Sequence, residues 1–199
     1  MKVPFTLINK NNNHLVIPLL RVIRCSNYIT ICADAKRREW MIKMIEINIP
    51  GRAVPLMIDN VVLDYNGTIA VDGELIGGVR ERIERLAESV KVFVLTADTY
   101  GTVKAQCTGL PLEVRTFPRA GAGECKEDIV RSLEGGVCAI GNGFNDIQMF
   151  DCADLAVAVL DAEGMCASLL PHADVLVRSP LDAIELLLRP DRLRATLRN

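Results

Sequence analysis

Polar residues that can do chemistry follow a short apolar run in the first half of the chain. Residues 61–63 are apolar, and Asp64, Asn66, Gly67 and Thr68 come directly after them. Such a continuous run is typical of a parallel strand that is buried on both faces. Because open α/β sheets bind ligands outside the carboxyl ends of their strands, Asp64 is placed to bind a cation or attack an electrophile. The alternative is a simple turn, in which Gly67 supplies a positive φ.

Two later apolar runs end in the same way. The sequence Thr-Ala-Asp (96–98) follows the run 92–95, and Gly-Asn-Gly-Phe-Asn-Asp (141–146) follows the run 137–140. Lys126 is predicted to open the helix that precedes the second of these runs. Each residue alone has an ordinary structural explanation. The ordered set favours a site, because the carboxyl ends of parallel strands share one edge of a sheet.

The rest of the sequence supplies the elements that position these residues. A small edge hairpin is predicted over 45–58 around Pro50-Gly51, and a short flap over 69–76 around Asp72-Gly73. Beyond the flap, strands and single helices alternate, which predicts a Rossmann-like parallel sheet with helices on both faces. Helices are predicted over 79–90, 101–107, 126–133, 147–152, 163–170 and 180–188, with a helical or frayed tail over 190–199, and further strands over 112–117, 155–159 and 174–177.

Composition narrows the class of protein. The chain has 199 residues and a formal charge of −2, which argues against a generic nucleic-acid binder. Its seven cysteines are odd in number and form no C-x-x-C pair, so they indicate buried thiols in a reducing cytoplasm. The two histidines lie far apart in the sequence. No apolar stretch reaches the about 18 residues that a membrane span needs, so no membrane partner is expected.

Residues 1–43 differ from the rest of the chain. They carry a net charge of +6, whereas residues 44–199 carry −8. We interpret 44–199 as a single domain and 1–43 as an atypical extension, either a disordered tail or a mis-assigned start before Met41 or Met44. A targeting segment is the alternative, although no convincing cleavage site is present.

The order of the motifs over residues 61–160 resembles the haloacid dehalogenase-like (HAD) superfamily of phosphoaspartyl transferases. More narrowly, Asp-x-x-Gly-Thr, Thr-x-Asp and Gly-x-Gly-x-Asn-Asp are similar to the phosphorylation domain of P-type ATPases, and above all to the soluble P-type ATPase-like proteins. The resemblance implies a Rossmann-like core, Mg²⁺ and an aspartyl-phosphate intermediate. The gaps between the motifs leave no room for a cap domain, so the core is predicted to be capless.

The resemblance also implies a role for each site residue. Asp64 is the nucleophile, Thr96 hydrogen-bonds the phosphoryl oxygens, and Lys126 neutralises their charge. Mg²⁺ is held by Asp64, Asp146 and the backbone carbonyl of Asn66. Asn142 is assigned to the metal site. The remaining motif residues are assigned to the phosphate site: Gly67, Thr68, Ala97, Asp98 and Asn145. Phosphoryl transfer needs mainly positioning and charge neutralisation, and Mg²⁺ prefers oxygen ligands, so the residue types suit these roles.

Two residues depart from the superfamily pattern. Asn66 stands where most of these phosphatases have a second aspartate that acts as acid and base, and an amide cannot transfer that proton. Asn142 replaces a common aspartate and removes one negative charge from the metal site. We therefore expect a preference for good leaving groups and slow breakdown of the aspartyl phosphate, with Asp98 as a candidate substitute base.

The expected function is that of a Mg²⁺-dependent, cytoplasmic phosphohydrolase acting on a small phosphorylated substrate. Two alternatives stay open: a regulatory domain that binds Mg²⁺ and phosphate with little turnover, and a soluble ATP hydrolase. Without a cap, the carboxyl edge of the sheet (the rim) is open. A large substrate or a second subunit is expected to cover this rim, so a homo-oligomer is one expectation.

Overall fold

The computed structural model describes residues 44–98 and 101–198 with their side chains and, within 1–43, the backbone of five strands. The chain divides into two compact units, 1–43 and 44–199. The strands of the first unit are β1 (Thr6–Ile8), β2 (His14–Val16), β3 (Arg21–Cys25), β4 (Tyr28–Cys32) and β5 (Trp40–Lys43). β1 pairs with β2, and β3, β4 and β5 form a three-stranded antiparallel sheet. The other residues of this unit lie outside the described part, and the interpretation of 1–43 as a tail, mis-assigned start or targeting segment stays a prediction.

The second unit alternates strands with helices. Its strands are β6 (Ile45–Ile47), β7 (Leu56–Ile58), β8 (Asn60–Asp64), β9 (Ala70–Val71), β10 (Glu74–Leu75), β11 (Lys91–Thr96), β12 (Glu113–Thr116), β13 (Val137–Gly141), β14 (Leu155–Val159) and β15 (Val175–Val177). Its α-helices are α1 (Val79–Leu86), α2 (Val103–Gln106), α3 (Ala122–Arg131), α4 (Ile147–Asp151), α5 (Pro180–Leu188) and α6 (Pro190–Leu197), and two 3₁₀ helices cover Phe144–Asp146 and Ala167–His172. Among the described residues, none of these helices has the length and apolar character to cross a membrane.

A six-stranded parallel sheet in the order β12-β11-β8-β13-β14-β15 is the centre of this unit. The chain leaves β8 for β11 and β12 on one side and then returns to β13 on the other side. The strand order therefore reverses between β8 and β13, where open α/β sheets bind their ligands. Both faces of β8 are covered, so its residues form the buried apolar run that the sequence shows.

Alternate residues of β8 pack on opposite faces of the sheet. Val61 and Leu63 belong to one apolar cluster, together with Ile83 of α1, and Val62 belongs to the other, together with Met149 of α4. This arrangement confirms the predicted α/β class. The antiparallel pairing of β6 with β7 confirms the small hairpin, and β9 and β10 form the predicted flap.

Two of the differences between predicted and observed helices affect the residues near the carboxyl edge of the sheet, whereas α1 and α2 are only shorter than predicted. α3 begins at Ala122 rather than at Lys126, because Gly121, with φ of +72°, ends the preceding loop and Gly123 is helical. Lys126 thus lies in the second turn of α3. The helix predicted over 163–170 is present only in its second half: residues 162–163 form a turn, residues 164–166 have no regular secondary structure, and a 3₁₀ helix covers Ala167–His172 and contains Pro171.

Carboxylates at the amino ends of the strands cap neighbouring backbone. Asp59 accepts a hydrogen bond from the amide of Gly136 at 2.9 Å, and Asp154 accepts one from the amide of Val137 at 2.8 Å. Asp174 accepts one from the amide of Ala156, also at 2.8 Å. These acids therefore stabilise strand starts, in contrast to the acids at the opposite edge of the sheet.

Candidate active site

Three charged side chains meet where β8 ends. The ammonium group of Lys126 donates to Asp64 Oδ1 at 2.6 Å and to Asp146 Oδ1 at 2.5 Å. Lys126 is 1% exposed and Asp146 is 0% exposed, so this is a buried triad with two carboxylates and one ammonium. Two desolvated carboxylates beside one cation leave an excess of negative charge, which a second cation would balance.

Asp146 is held by the backbone of its own loop. Its Oδ2 atom accepts hydrogen bonds from the amides of Asn142 at 2.9 Å and Gly143 at 2.8 Å. A Cβ atom added at Gly141 would lie 2.4 Å from the same oxygen, so the loop needs a glycine there. Because Oδ2 is fixed in this way, Oδ1 is the oxygen that faces Lys126.

The second oxygen of Asp64 is held by Thr68. The Thr68 hydroxyl lies 3.1 Å from Asp64 Oδ2 and 3.2 Å from Asn142 Oδ1, and its single proton can be donated to either oxygen. Thr68 is fully buried. The turn that carries it passes through Gly67, which has φ of +76°, so the residue that the sequence suggested for a positive φ has one.

Burial and charge set the protonation of the triad. Burial raises the pKa of Asp64 from 3.8 to about 6, with Lys126 opposing and Asp146 adding to the shift. Burial alone lowers the pKa of Lys126, but Asp64 and Asp146 together outweigh it and leave that pKa above its ordinary value. The lysine is therefore a permanent cation, beside a desolvated carboxylate that is largely ionised at neutral pH.

The Thr-Ala-Asp motif lies at the same edge of the sheet. Leu95 pairs with Asp64 in the register of β11 and β8, so Thr96 and Ala97 follow directly beside the end of β8. The Thr96 hydroxyl accepts from the Asp98 amide at 2.9 Å, and Asp98 Oδ1 accepts from the amide of Val103 at 3.2 Å. In the described part of the chain no hydrogen bond joins Thr96 to the triad. The Asp98 carboxylate contacts the start of α2, and its role as a base stays a prediction.

The three asparagines of the motifs have different surroundings. Asn66 is half-buried, and its Oδ1 atom is buried without a hydrogen-bond partner. The backbone bonds beside it use the carbonyl of Tyr65 and the amide of Gly67, which leaves the carbonyl of Asn66 unused by them. Asn142 contacts Thr68 as described, whereas Asn145 is exposed on the short 3₁₀ helix Phe144–Asp146.

These groups fit a magnesium ion. Two carboxylates, those of Asp64 and Asp146, contact one lysine nitrogen, and at the same strand end Asn66 has a backbone carbonyl that the adjacent turn bonds do not use and a side-chain oxygen without a partner. Within residues 44–98 and 101–198, no group of three or more His, Cys, Asp or Glu side chains could hold a metal. A metal here would therefore use two carboxylates, a carbonyl and water, a ligand set that suits Mg²⁺.

The sequence patterns did not single out the loop 161–166, which borders the site. Gly164 accepts a hydrogen bond from Asn142, and Glu163 accepts one from the amide of Asp72 in the flap. The only signal in the sequence is a glycine, Gly164, whose φ is +78°. Bonds between a side chain and a distant backbone group leave no other trace in a sequence.

Replacing Gly67 with alanine is expected to destabilise the protein by about 2–4 kcal/mol. The new methyl group would lie 2.3 Å from Asn142 Nδ2, and the backbone has a positive φ. Two matched variants separate these causes. Gly109→Ala shares the positive φ without a close contact and should cost about 1 kcal/mol, while Gly77→Ala has no contact within 4 Å and should be nearly neutral. Urea unfolding measures all three, and equal losses for Gly67 and Gly109 would contradict the close approach of Asn142.

The fold resembles solved phosphatase structures. A cobalt-bound deoxy-D-mannose-octulosonate 8-phosphate phosphatase from Haemophilus influenzae superposes with a TM-score of 0.55 at 14% identity, covering 66% of this chain and 88% of that one. The corresponding Moraxella catarrhalis phosphatase, in complex with magnesium, phosphate and KDO, gives 0.53 at 15% identity, covering 70% and 92%. No protein-family profile matches the chain. The structural likeness shows an HAD-like fold.

A curated relative narrows this class. A soluble P-type ATPase-like phosphatase from Methanocaldococcus jannaschii is 30% identical over 206 aligned positions, which cover 92% of this chain and 74% of the relative. The chain therefore belongs to the soluble P-type ATPase-like phosphatases, a group of HAD-type hydrolases. This confirms the resemblance that the three motifs indicated.

Proposed function

We propose that the protein is a Mg²⁺-dependent phosphatase in which Asp64 attacks phosphorus and forms an aspartyl phosphate. The observation that carries the proposal is the buried Lys126, which binds Asp64 and Asp146 at the carboxyl end of β8. Phosphoryl transfer depends on positioning and charge neutralisation, and a carboxylate nucleophile divides the hydrolysis into two steps. The triad supplies a nucleophile and a permanent positive charge in contact with it.

The chemistry follows from the roles of these groups. A carboxylate oxygen of Asp64 bonds to phosphorus, and the bond from phosphorus to the leaving-group oxygen breaks, with the electron pair going to that oxygen. The oxygen of a water molecule then bonds to phosphorus, the bond from phosphorus to the Asp64 oxygen breaks with its electron pair returning to the carboxylate, and inorganic phosphate leaves while one proton of the water passes to solvent. Throughout, Lys126 offsets negative charge and Thr68 holds the orientation of the nucleophile.

Asp64, Asp146 and the carbonyl of Asn66 would hold the magnesium ion. When bound, Mg²⁺ neutralises charge on the transferring phosphoryl group. The choice of metal is supported by the oxygen-only ligand set and by the magnesium and phosphate in the Moraxella catarrhalis neighbour.

The substrate is proposed to be a small phosphorylated molecule with a good leaving group. Fold neighbours named as phosphatases of a sugar-acid 8-phosphate support a small substrate. The leaving-group preference rests on Asn66, whose amide cannot protonate a departing alkoxide. Anhydrides, acyl phosphates and aryl phosphates release anions that need no proton.

The same residue favours a second candidate function. With Asn66 in place of an acid, a domain that binds Mg²⁺ and phosphate with little turnover is the alternative. Beryllium trifluoride mimics a phosphoryl group on a carboxylate. Stabilisation by this ion and Mg²⁺ without hydrolysis of any phosphate ester would favour the binding domain, and hydrolysis that depends on Asp64 would favour the enzyme.

A cytoplasmic location and a homo-oligomer that covers the rim are also proposed. The location is supported by the absence of a disulfide among the described cysteines, since disulfides are rare in the cytosol. These free cysteines are Cys107, Cys125, Cys138, Cys152 and Cys166.

The leaving-group preference is tested by comparing p-nitrophenyl phosphate with an alkyl phosphate such as glycerol 3-phosphate. The parent protein is expected to hydrolyse the aryl ester at least about 100-fold faster, and Asn66→Asp should raise the alkyl rate by about 10²-fold or more by supplying an acid. Asn48→Asp, the same change on the exposed hairpin, should leave the ratio unaltered. Equal parent rates on the two esters would refute the preference.

A further inference from the structure

We propose that Asn142 is a positioning residue whose carboxamide ties the Thr68 turn to the loop 161–166, here named the mouth loop, and that this site requires an amide rather than a carboxylate. The kinetic part of this inference rests on the proposed function. The inference gives Asn142 a structural role of its own, whereas the family pattern treats it only as the replacement of an acidic residue in the metal site.

Besides its backbone amide, which donates to Asp146, Asn142 has three polar groups that contact the Thr68 turn or the mouth loop. Its Nδ2 atom donates to the carbonyl of Gly164 at 2.9 Å, and its Oδ1 atom lies 3.2 Å from the Thr68 hydroxyl. Its backbone carbonyl accepts from the amide of Cys166 at 2.8 Å. Because a carbonyl can only accept, the NH₂ group must face Gly164, and this fixes the orientation of the amide.

An aspartate could not make the same contacts. A carboxylate has no donor, so one of its oxygens would face the Gly164 carbonyl at about the distance that Nδ2 now occupies. It would also add a third negative charge beside Asp64 and Asp146, which share one lysine. Repulsion between two acceptors and between buried carboxylates therefore selects the amide.

The Thr68 turn packs closely against the side-chain amide of Asn142. A Cβ atom at Gly67 would lie 2.3 Å from Asn142 Nδ2 and 3.0 Å from Oδ1. Only a glycine allows the Thr68 turn to approach so closely. The absent side chain at 67 is a second observation, independent of the hydrogen bonds, that the two loops are fitted to each other.

The mouth loop extends this connection to the flap. Glu163 Oε1 accepts from the amide of Asp72 at 2.9 Å, at the turn between β9 and β10. The carbonyl of the next residue, Gly73, accepts from Tyr65 at 3.0 Å and from Thr102 at 2.7 Å. The turn of the flap is thus bound by the mouth loop through Glu163 and by Tyr65 and Thr102 through their hydroxyl groups. Asn142 lies between the mouth loop and the Thr68 turn, whose hydroxyl contacts Asp64.

Asn142→Asp and Asn142→Ala distinguish a positioning role from a metal-ligand role. In the full chain at saturating Mg²⁺, both variants are expected to lower kcat by about tenfold or more, because the Thr68 turn loses the amide that it packs against and no longer holds Asp64 in one orientation. Exchange of the Cys166 and Asp72 amide hydrogens should become about fivefold faster or more, because the mouth loop is released. If Asn142 were only a lost metal ligand, the aspartate would tighten Mg²⁺ binding and raise turnover.

Three matched variants locate the effect. Thr68→Val removes the hydroxyl but keeps the Gly164 bond, so it should lower kcat and leave Cys166 exchange unaltered. Glu163→Ala should speed exchange at Asp72 and not at Cys166. Glu163→Gln retains an acceptor oxygen and should restore the parent exchange rate at Asp72.

Unchanged amide exchange in both Asn142 variants, or an unchanged kcat in both, would overturn the proposal. Asn142→Ala adds no charge and gives the same readouts should Asn142→Asp fail to fold. Failure of the proposed function can be distinguished from failure of this inference, because amide exchange at Cys166 and Asp72 still reports the Asn142 contacts in a parent protein without turnover.

Discussion

Replacing Asp64 with asparagine is expected to reduce hydrolysis of p-nitrophenyl phosphate by about 10⁴-fold or more. An amide oxygen is too weak a nucleophile to form the covalent intermediate, and the substitution also removes one carboxylate from the Lys126 triad. The side chain keeps its size, so the fold should be retained. Steady-state kinetics and circular dichroism on the same preparation measure both expectations.

Asp154→Asn is the matched control for this loss. Asp154 lies at the amino end of β14, which is separated from β8 by β13, and it caps the amide of Val137. The same chemical change there should cost about 1 kcal/mol of stability and leave kcat/KM within about threefold, a change near the scale of small surface effects. Residual activity of Asp64→Asn above one tenth of the parent would show that another group performs the chemistry.

Replacing Lys126 with methionine is expected to lower the free energy of unfolding by about 3 kcal/mol or more in EDTA, because two buried carboxylates lose their cation. Turnover should fall as well, since no ammonium group then offsets the negative charge of the phosphoryl group that is transferred. Lys104→Met is the control, because Lys104 is exposed on α2 and its loss should cost less than about 0.5 kcal/mol. Urea unfolding with the metal removed gives both values.

A double-mutant cycle assigns this loss to the ion triad. In an Asp64→Asn background only Asp146 remains to be neutralised, so Lys126→Met should destabilise the protein less than it does in the parent. Equal losses in the two backgrounds would mean that the lysine acts through the packing of its methylene chain and not through its charge.

The parts of the fold that follow from local patterns were predictable from the sequence. The apolar residues of β8 indicated a strand buried on both faces, and the alternation of strands and helices indicated a parallel sheet whose carboxyl edge collects Asp64, Thr96 and Asp146. A helix was predicted over 180–188, and α5 covers that range, with the Ser179 hydroxyl capping it by accepting from the amide of Asp182 at 3.1 Å.

The remaining features depend on tertiary contacts. The helix was predicted to begin at Lys126, yet α3 begins one turn earlier at Ala122, so that Gly123 is helical and Lys126 lies in the second turn with its side chain in the interior. The second half of the mouth loop was predicted as the start of a helix over 163–170, because the contacts of the loop to the Asn142 amide and the flap leave no pattern in the sequence. Asn142 was recognised as part of the motif, but its hydrogen-bond partners depend on the tertiary structure.

Acid-quenched phosphoenzyme tests the central claim, covalent catalysis by Asp64, most directly. The parent protein is mixed with Mg²⁺ and p-nitrophenyl phosphate, quenched in acid, digested and sequenced by mass spectrometry. Because Asn66 cannot activate water, the intermediate should accumulate, and one phosphoryl group is expected on Asp64 and none on the Asp64→Asn protein. Rapid hydrolysis with a phosphoryl group on another residue, or with the same label in the Asp64→Asn protein, would contradict the account.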